Sequence, residues 1–304
     1  MDVYLPIANL AVNGLVIVLL GAATGILSGI FGVGGGFLTT PLLIFYGIPP
    51  TVAAASSATQ VTGASVSGVF AHTRRGGVDY QIGAVGVAGG VIGAAIGALL
   101  FRLLESLGQI DTVINILYVV LLGTIGALMG RESLQTLRQN RGGDRPRPAK
   151  RRHHPLVASL PMRWRFYRSG LYISPLAPLL MGVVIGILTM LMGVGGGFLL
   201  VPAMLYILGM SASVVVGTSL FQILFVTIAA TMMHALTTQA VDIVLAGLLL
   251  FGSVTGAQLG TRMAQLAKPE LLRLLLAAMV LGVALRMAFG LGVRPDEVYS
   301  VLPL

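Results

Sequence analysis

Two long stretches of the chain carry no charged side chain, and this feature limits the fold more than any other. No Asp, Glu, Lys or Arg occurs between Val3 and Thr73 or between Leu171 and Val241. Each stretch is several times longer than the roughly 20 residues that a helix needs to cross a bilayer. A transmembrane barrel would alternate polar and apolar residues, and these stretches do not. The sequence therefore predicts an all-α polytopic membrane protein.

The same glycine-rich motif interrupts both charge-free stretches. The first copy reads Gly-Val-Gly-Gly-Gly-Phe at 32–37, and the second has the same six residues at 193–198. Three consecutive glycines cost a helix roughly 1 kcal/mol each relative to alanine, and inside a bilayer the freed backbone groups add to that cost. Two such breaks in matching places indicate the binding site of a transporter. The alternative is close helix packing through small residues.

The residues that follow the two motifs repeat in order, which indicates an internal duplication. The matched pairs are Pro41 with Pro202, Ser56-Ser57 with Thr218-Ser219, Gln60 with Gln222, His72 with His234, and Asp79 with Asp242. Glycines spaced by four, from Gly89 to Gly97 and from Gly252 to Gly260, also match and are typical of close helix packing. We predict a first transmembrane repeat over 7–130 and a second over 171–291.

A basic linker is predicted between the repeats, over 131–170. Eleven of the 19 basic residues lie between Arg131 and Arg168. Proline, glycine and like charges there disfavour ordered packing, and the positive-inside rule makes the linker cytoplasmic. Contact with anionic lipid headgroups is a further alternative. His153 and His154 are interpreted as part of this solvated run rather than as a metal site, and Trp164 and Tyr167 as an interface anchor.

Two matching turns differ in charge, and this difference bears on the orientation of the repeats. The turn after His72 contains Arg74 and Arg75, whereas the turn after His234 has no charged residue. Basic turns in the cytoplasm would orient the copies oppositely, as in the inverted repeats of secondary transporters. Inversion requires an odd number of crossings per half, so the short segments 37–46 and 198–208 must re-enter the membrane or cross as half helices. Counting only the full-length segments gives about eight helices and a parallel repeat. We predict the inverted arrangement, with about eight full-length helices and short broken or re-entrant segments at the glycine motifs.

These motifs resemble the sulfite exporter TauE/SafE family of membrane proteins. The resemblance rests on the twin glycine motifs with their prolines, the repeated Ser/Thr-Ser-x-x-Gln element and the Val-Asp after each histidine, and it covers about Gly14 to Gly290. It implies a transporter of the bacterial inner membrane, with about eight helices, that moves sulfite, sulfonates or related small anions. The expected partners are a small anion and the lipid bilayer, without nucleic acid, metal or cofactor. The long Arg-rich linker departs from the compact form expected of the family.

The predicted anion site lies at the two glycine motifs, because no lysine or arginine is close to them in the sequence. A helix that starts at a glycine presents free N–H groups and the positive end of its dipole, and glycine lets an anion approach these donors closely. The predicted substrate-binding residues are Gly34, Gly35, Gly36, Ser56, Ser57 and Gln60 in the first copy and Gly195, Gly196, Gly197, Thr218, Ser219 and Gln222 in the second. The alternatives are helix-to-helix hydrogen bonds for the glutamines and bonds to backbone carbonyls of the same helix for the hydroxyls.

Four titratable residues, His72, His234, Asp79 and Asp242, are candidates for proton coupling. The alternatives are helix caps for the aspartates and satisfied polar groups for the histidines. The leading hypothesis is a secondary transporter, an exporter of small sulfur-containing anions. A passive anion channel is the nearest rival. An intramembrane enzyme is a third hypothesis, but no nucleophile–base or phosphate-binding motif supports it, and we expect no enzymatic activity.

Overall fold

The computed structural model of the protein describes residues 2–31, 34–74, 76–141, 163–264 and 269–292, and most of these residues are helical. Two antiparallel hairpins each precede a helix, and their strands are β1 (Asp2–Leu5), β2 (Leu10–Asn13), β3 (Trp164–Phe166) and β4 (Leu171–Ile173). The helices before the basic segment are α1 (Gly14–Phe31), α2 (Gly36–Phe45), α3 (Pro50–Arg74), α4 (Tyr80–Ser106) and α5 (Ile110–Arg141).

Five further helices follow the second hairpin. They are α6 (Leu176–Met192), α7 (Gly197–Tyr206), α8 (Ala212–Met233), α9 (Ile243–Ala264) and α10 (Pro269–Gly292), and a π-helical turn (His234–Thr238) extends α8. Five helical spans among the described residues are long and apolar enough to cross a membrane: Tyr80–Ser106, Ile110–Arg131, Val214–Thr238, Ile243–Gly260 and Leu274–Gly292. The chain is therefore a multi-pass helical membrane protein. The predicted count of about eight full-length helices is not confirmed. Helices α1 and α6 are shorter than these spans, and α3, although it has 25 residues, is not among them.

The chain divides into two compact units. The larger unit comprises Met1–Asp111 and Pro146–Ala267 and contains both glycine motifs. The smaller unit comprises Thr112–Arg145 and Lys268–Leu304. Within the smaller unit, Gly126 of α5 faces Val280 and Leu281 of α10 so closely that an added Cβ would lie 3.0 Å from each of these side chains.

Glycines bring two helix pairs of the larger unit into backbone contact. A Cβ at Gly21 would lie 2.6 Å from the carbonyl oxygen of Leu249, and Gly25 and Gly29 lie equally close to the next turns of α9. On α4, Gly89 and Gly93 approach the backbone of α6 in the same manner. In each pair the residue numbers of the contacts rise together along the two helices. Helix α1 therefore runs parallel to α9, and α4 runs parallel to α6. Packing is therefore the role of the predicted stripes of glycine.

The central pair of helices, α3 and α8, is antiparallel. The hydroxyl of Thr62 donates to that of Thr227 at 2.8 Å, and Thr59, one turn earlier, contacts Thr231, one turn later. Further on, a Cβ at Gly68 would lie 2.9 Å from the side chain of Leu220. Along these contacts the residue numbers rise on α3 while they fall on α8. The N-terminal end of α3 therefore lies beside the C-terminal end of α8.

The short helix α2 folds back toward the start of α1. Tyr46, at the C-terminal end of α2, accepts a hydrogen bond on its hydroxyl oxygen from the N–H of Asn13, at 3.3 Å. Leu43 and Ile48 lie in one buried cluster with Leu5 of the first hairpin. The matching helix α7 ends in the same way, because its residues Met204 and Leu208 share a buried cluster with the second hairpin. Each glycine motif is therefore the tip of a helical hairpin.

Several predicted boundaries differ from the structure. The apolar segment predicted to begin at 7 starts as a β-hairpin, and its helix begins only at Gly14. Helix α5 continues to Arg141, ten residues beyond the predicted start of the linker at 131, because residues 132–138 include several strong helix formers. The linker's other end forms the hairpin β3–β4. Residues 142–162, with His153 and His154, lie outside the described part of the chain.

Candidate functional site

Both glycine motifs make the same turn into a short helix. Gly34 and Gly35 have φ angles of +86° and +67°, and Gly195 and Gly196 have φ angles of +70° and +71°. This region of backbone space strongly favours glycine, which explains why the turns need consecutive glycines. In the first copy the N–H of Gly36 donates to the carbonyl of Gly34 at 2.7 Å, so this amide is already engaged. Gly32 and Val33 are outside the described residues.

The two motifs converge on one pair of side chains. A Cβ built on Gly34 would lie 3.6 Å from Val61 and 3.8 Å from Ile223. A Cβ on Gly195 would lie 2.5 Å from Val61 and 3.1 Å from Ile223. Val61 follows Gln60 on α3 and Ile223 follows Gln222 on α8, so the two contacts are equivalent in the two halves. The space between the motifs is thus filled by two apolar side chains at the centre of the larger unit.

The first turns of α2 and α7 also touch each other. The rings of Phe37 and Phe198 stack with their centroids 4.7 Å apart and their planes at 5°. The hydroxyl of Thr40 donates to the carbonyl oxygen of Met192 at the end of α6, at 3.3 Å. A Cβ at Gly36 would lie 3.0 Å from the carbonyl oxygens of Gly193 and Val194. These contacts bring the two helix N-termini together.

The two predicted glutamines are buried and largely unpartnered. Gln60 and Gln222 are each 1% exposed. The Nε2 of Gln60 reaches the hydroxyl of Thr24 on α1 at 3.4 Å, while its Oε1 has no partner among the described residues. Gln222 has no partner there for either amide atom, and its amide lies directly against the backbone of Gly86 on α4. Burial of an amide without a hydrogen-bond partner is unfavourable.

Gln60 is linked to its own motif through Thr24. Thr24, the partner of Gln60, presents its carbonyl oxygen 3.2 Å from the Cβ position of Gly35. In the second copy Gly196 instead faces Ile185 and the hydroxyl of Thr189, and this hydroxyl is fully buried without a partner among the described residues. The structure thus gathers Gly35, Thr24 and Gln60 on one side and Gly196 and Thr189 on the other.

The predicted hydroxyl residues differ in their hydrogen-bond partners. The hydroxyl of Ser56 accepts from the N–H of Asp242 at 3.2 Å, and that of Thr218 accepts from the N–H of Asp79 at 2.9 Å. These two residues therefore lie at the starts of α9 and α4 rather than at the glycine motifs. Thr218 and Ser219 also donate to the backbone carbonyls of Val214 and Val216 in their own helix, the predicted alternative. Ser57 is buried, and its hydroxyl has no partner among the described residues.

Asp79 and Asp242 act as helix caps and hold the two β-hairpins. One carboxylate oxygen of Asp79 accepts from the N–H groups of Gln81 and Ile82, and the other accepts from the N–H and hydroxyl of Ser169 in the turn of the second hairpin. Asp242 likewise accepts from two amides of α9 and, at 3.0 Å, from Ile7 in the turn of the first hairpin. Each half thus caps its own helix and fixes the hairpin of the other half.

His234 is buried and its ring is fixed on both sides. Its Nε2 lies 2.9 Å from the carbonyl oxygen of Met190 on α6, and because a carbonyl only accepts, this nitrogen carries a proton. Its Nδ1 lies 3.1 Å from the hydroxyl of Thr238 within the π-helical turn, and Phe101 packs edge-on against the ring. The hydroxyl of Thr238 also donates to the carbonyl oxygen of His234 at 3.0 Å. His72, the matching residue, is only half-buried near the end of α3.

The sequence pattern missed the apolar residues at the centre of the site. Val61 and Ile223 have no polar signal, and only their positions beside the predicted glutamines could have identified them. Thr24 and Thr189 were missed because they lie on α1 and α6, before the repeated motifs begin.

Comparison with known proteins places the chain among membrane transporters. The family model described as "Sulfite exporter TauE/SafE" matches residues 17–287. The "Probable membrane transporter protein YjnA" of Bacillus subtilis (strain 168) is 28% identical over 268 residues, covering 87% of this chain and 96% of that protein. A "Probable membrane transporter protein" of Xylella fastidiosa (strain 9a5c) is 26% identical over 269 residues, covering 87% of this chain and 91% of its own. No solved structure matches the chain significantly.

Proposed function

This chain belongs to the sulfite exporter TauE/SafE family, and from that membership we propose that it is a secondary transporter that exports small sulfur-containing anions such as sulfite or organosulfonates. The observation that carries the proposal is the meeting of two glycine turns in a charge-free core. Gly34 and Gly195 face the same pair of side chains, and the helices that follow them touch through Phe37 and Phe198.

Helix N-termini are the source of positive potential in the proposed site. At the start of α2 the N–H of Gly36 donates to Gly34 and that of Leu38 to Gly35, so the positive potential comes mainly from the helix dipoles, each of which places roughly half a positive charge at the start of its helix. No Lys or Arg lies within the charge-free stretches that contain these turns. Neutral backbone donors bind an oxyanion without holding it too tightly, which transport requires.

Buried amides supply the remaining donors. The amide of Gln222 and the hydroxyls of Ser57 and Thr189 are buried without partners among the described residues, so each gains a hydrogen bond when a polar ligand enters. We assign to Gln60 the equivalent role beside the first motif, where it adjoins Thr24. Leaving a buried polar group without a hydrogen-bond partner costs about 1–3 kcal/mol. An anion that supplies the partner removes this cost, which favours occupancy of the site.

We propose that the two halves form an inverted repeat with a re-entrant hairpin in each half. The antiparallel packing of α3 on α8 supports this arrangement, and so do the reciprocal contacts of Asp79 and Asp242 with each other's hairpins. Because α2 folds back toward the start of α1, the pair α1–α2 makes no net crossing. With α3 counted as a crossing on its length of 25 residues, helices α3, α4 and α5 give three crossings in the first half, and α8, α9 and α10 give three in the second. Three is an odd number, as inversion requires.

Transport requires the proposed site to open, because both motifs and both glutamines are buried. Val61 and Ile223 fill the space between the motifs and must move aside to admit an anion. We propose that relative motion of the two halves exposes the site to one side of the membrane and then to the other, as in other transporters with inverted repeats. A passive channel would instead need a continuous open path.

The cellular location of the protein is inferred from its membership of the family and from the charge of its basic segment. We propose the bacterial inner membrane, with the basic segment 131–170 in the cytoplasm. Proton coupling remains a proposal for His72 and His234, whereas the caps and hairpin bonds of Asp79 and Asp242 occupy both oxygens of each carboxylate.

Uptake of radiolabelled sulfite into proteoliposomes, with and without a pH gradient, tests the proposal. A carrier gives saturable uptake that unlabelled sulfite and methanesulfonate compete for. Gly34→Ala should abolish most of this uptake, because its φ of +86° is unfavourable for alanine although a Cβ there meets only ordinary contacts. Gly247→Ala is the matched control, since nothing lies within 4 Å of a Cβ at that position. Uptake that never saturates would support a channel, and no uptake of any sulfur anion would refute the proposed substrate.

A further inference from the structure

We propose that the outer face of the β3–β4 hairpin, together with the start of α4, binds the headgroup of an anionic phospholipid. A pocket of about 530 Å³ lies there, lined by Gln81 and Val85 of α4, by residues 163–167 and by Tyr172 of the hairpin. This pocket is separate from the glycine motifs and takes no part in the proposed transport site.

Positive charge dominates the rim of the pocket. Arg163 and Arg165 line it, and Arg168 lies just beyond; all three are exposed. The guanidinium carbon of Arg165 lies 5.8 Å from the centroid of the Tyr167 ring, a cation–π contact that orients the arginine and leaves its charge in place. The hairpin contains no Asp or Glu, and the nearby carboxylate of Asp79 is buried against Ser169. The pocket is therefore complementary to an anion.

The arginines are not needed to build the hairpin. The hairpin β1–β2 makes the matching contact with Asp242, yet the sequence from Val3 to Asn13 contains no basic residue. In β3–β4 the inward residues Phe166, Leu171 and Ile173 are buried, and they supply the packing. The charges of the second hairpin therefore serve a purpose that the first hairpin does not share.

The surroundings of the pocket favour a phospholipid over a soluble anion. Trp164, Tyr167 and Tyr172 are 54%, 78% and 59% exposed, and such aromatic side chains prefer the membrane–water interface. From Val85 an apolar stripe continues down α4 on one helical face. Its members are Val85, Ala88, Ile92, Ile96 and Leu99. A phosphate among the arginines would thus have its acyl chains along exposed Ile92 and Leu99.

The chain carries its own probe for this site, because Trp164 is its only tryptophan. The full-length protein in neutral detergent would be titrated with brominated phosphatidylglycerol or with brominated phosphatidylcholine, and quenching of Trp164 fluorescence recorded. We expect phosphatidylglycerol to quench at lower concentration. The double variant Arg163→Gln/Arg165→Gln should weaken its apparent affinity about 25-fold, since one basic side chain near an anionic surface contributes about fivefold.

Arg102→Gln is the matched control, since it removes an exposed arginine from the far part of α4 and should leave the lipid preference unchanged. An unaltered elution profile shows that each variant is folded. Equal quenching by the two lipids would overturn the proposal, as would an unchanged preference in the folded double variant. Glycerol phosphate supplied at the same concentration should not displace the brominated lipid. If it does, the pocket binds soluble anions and the lipid proposal is wrong.

Discussion

Replacing Gln222 by leucine should have opposite effects on stability and on anion binding. The side chain is 1% exposed, neither amide atom has a partner among the described residues, and the amide packs on the backbone of Gly86. Leucine has a similar volume and no polar atoms. Burial of an unpaired amide costs about 1–3 kcal/mol in proteins, so Gln222→Leu should raise the free energy of unfolding by about that amount. Anion binding should lose a similar amount, or about 5- to 150-fold in Kd.

Thermal denaturation with and without sulfite measures both effects in one experiment. The melting temperature of the anion-free variant should exceed that of the wild type. The increase that sulfite produces in the wild type, which depends on its concentration relative to Kd, should shrink or disappear in the variant. Gln109→Leu changes an exposed glutamine and should alter neither quantity. A variant that melts at a lower temperature and keeps its full response to sulfite would refute the reasoning, because Gln222 would then form a structural bond between helices.

Three further predictions concern topology, the linker and packing. Arg74→Cys and Ala235→Cys, each introduced into this cysteine-free chain, should react with an impermeant thiol reagent from opposite sides of the membrane. Labelling of both from one side would exclude the inverted repeat. Deletion of 142–162 should leave sulfite transport in proteoliposomes within twofold of the wild type, because this segment contributes no residue to the proposed site, and loss of transport would contradict this. Gly25→Ala should lower the melting temperature, because its Cβ would collide with the backbone of Ser253. Gly247→Ala, whose Cβ would meet nothing within 4 Å, should stabilise the protein by about 1 kcal/mol. Equal effects of the two substitutions would contradict the packing argument.

The sequence was most informative where a residue type has few alternatives. Consecutive glycines predicted a helix break, and the structure has positive φ angles at Gly34, Gly35, Gly195 and Gly196. Aspartate at a helix start predicted a cap, and Asp79 forms one. These assignments depend on the residue type and on the backbone next to it, so they can be read from the sequence alone.

Features that depend on distant contacts could not be predicted in the same way. Ser56 and Thr218 were grouped with the glutamines because they lie one turn away on the same helix, yet they bond to the amides of Asp242 and Asp79. Val61 carries no polar signal, and its place between the motifs follows only from the packing of α3 on α8. The β-hairpins were missed because their strands have only three or four residues, which is too short for an alternating pattern to be recognised.

The exchange of hairpins between the halves also sets an order of events during synthesis. The amide of Ile7 is bound by a carboxylate 235 residues later in the chain, and α1 finds its close-packed partner only when α9 is made. At about 5–20 residues per second, the N-terminal hairpin waits roughly 10–50 s for Asp242 to leave the ribosome. During that interval the glycine face of α1 has only lipid or the insertion machinery to contact. The first half alone is therefore an unfinished assembly, and the last helices synthesised complete the structure of the first.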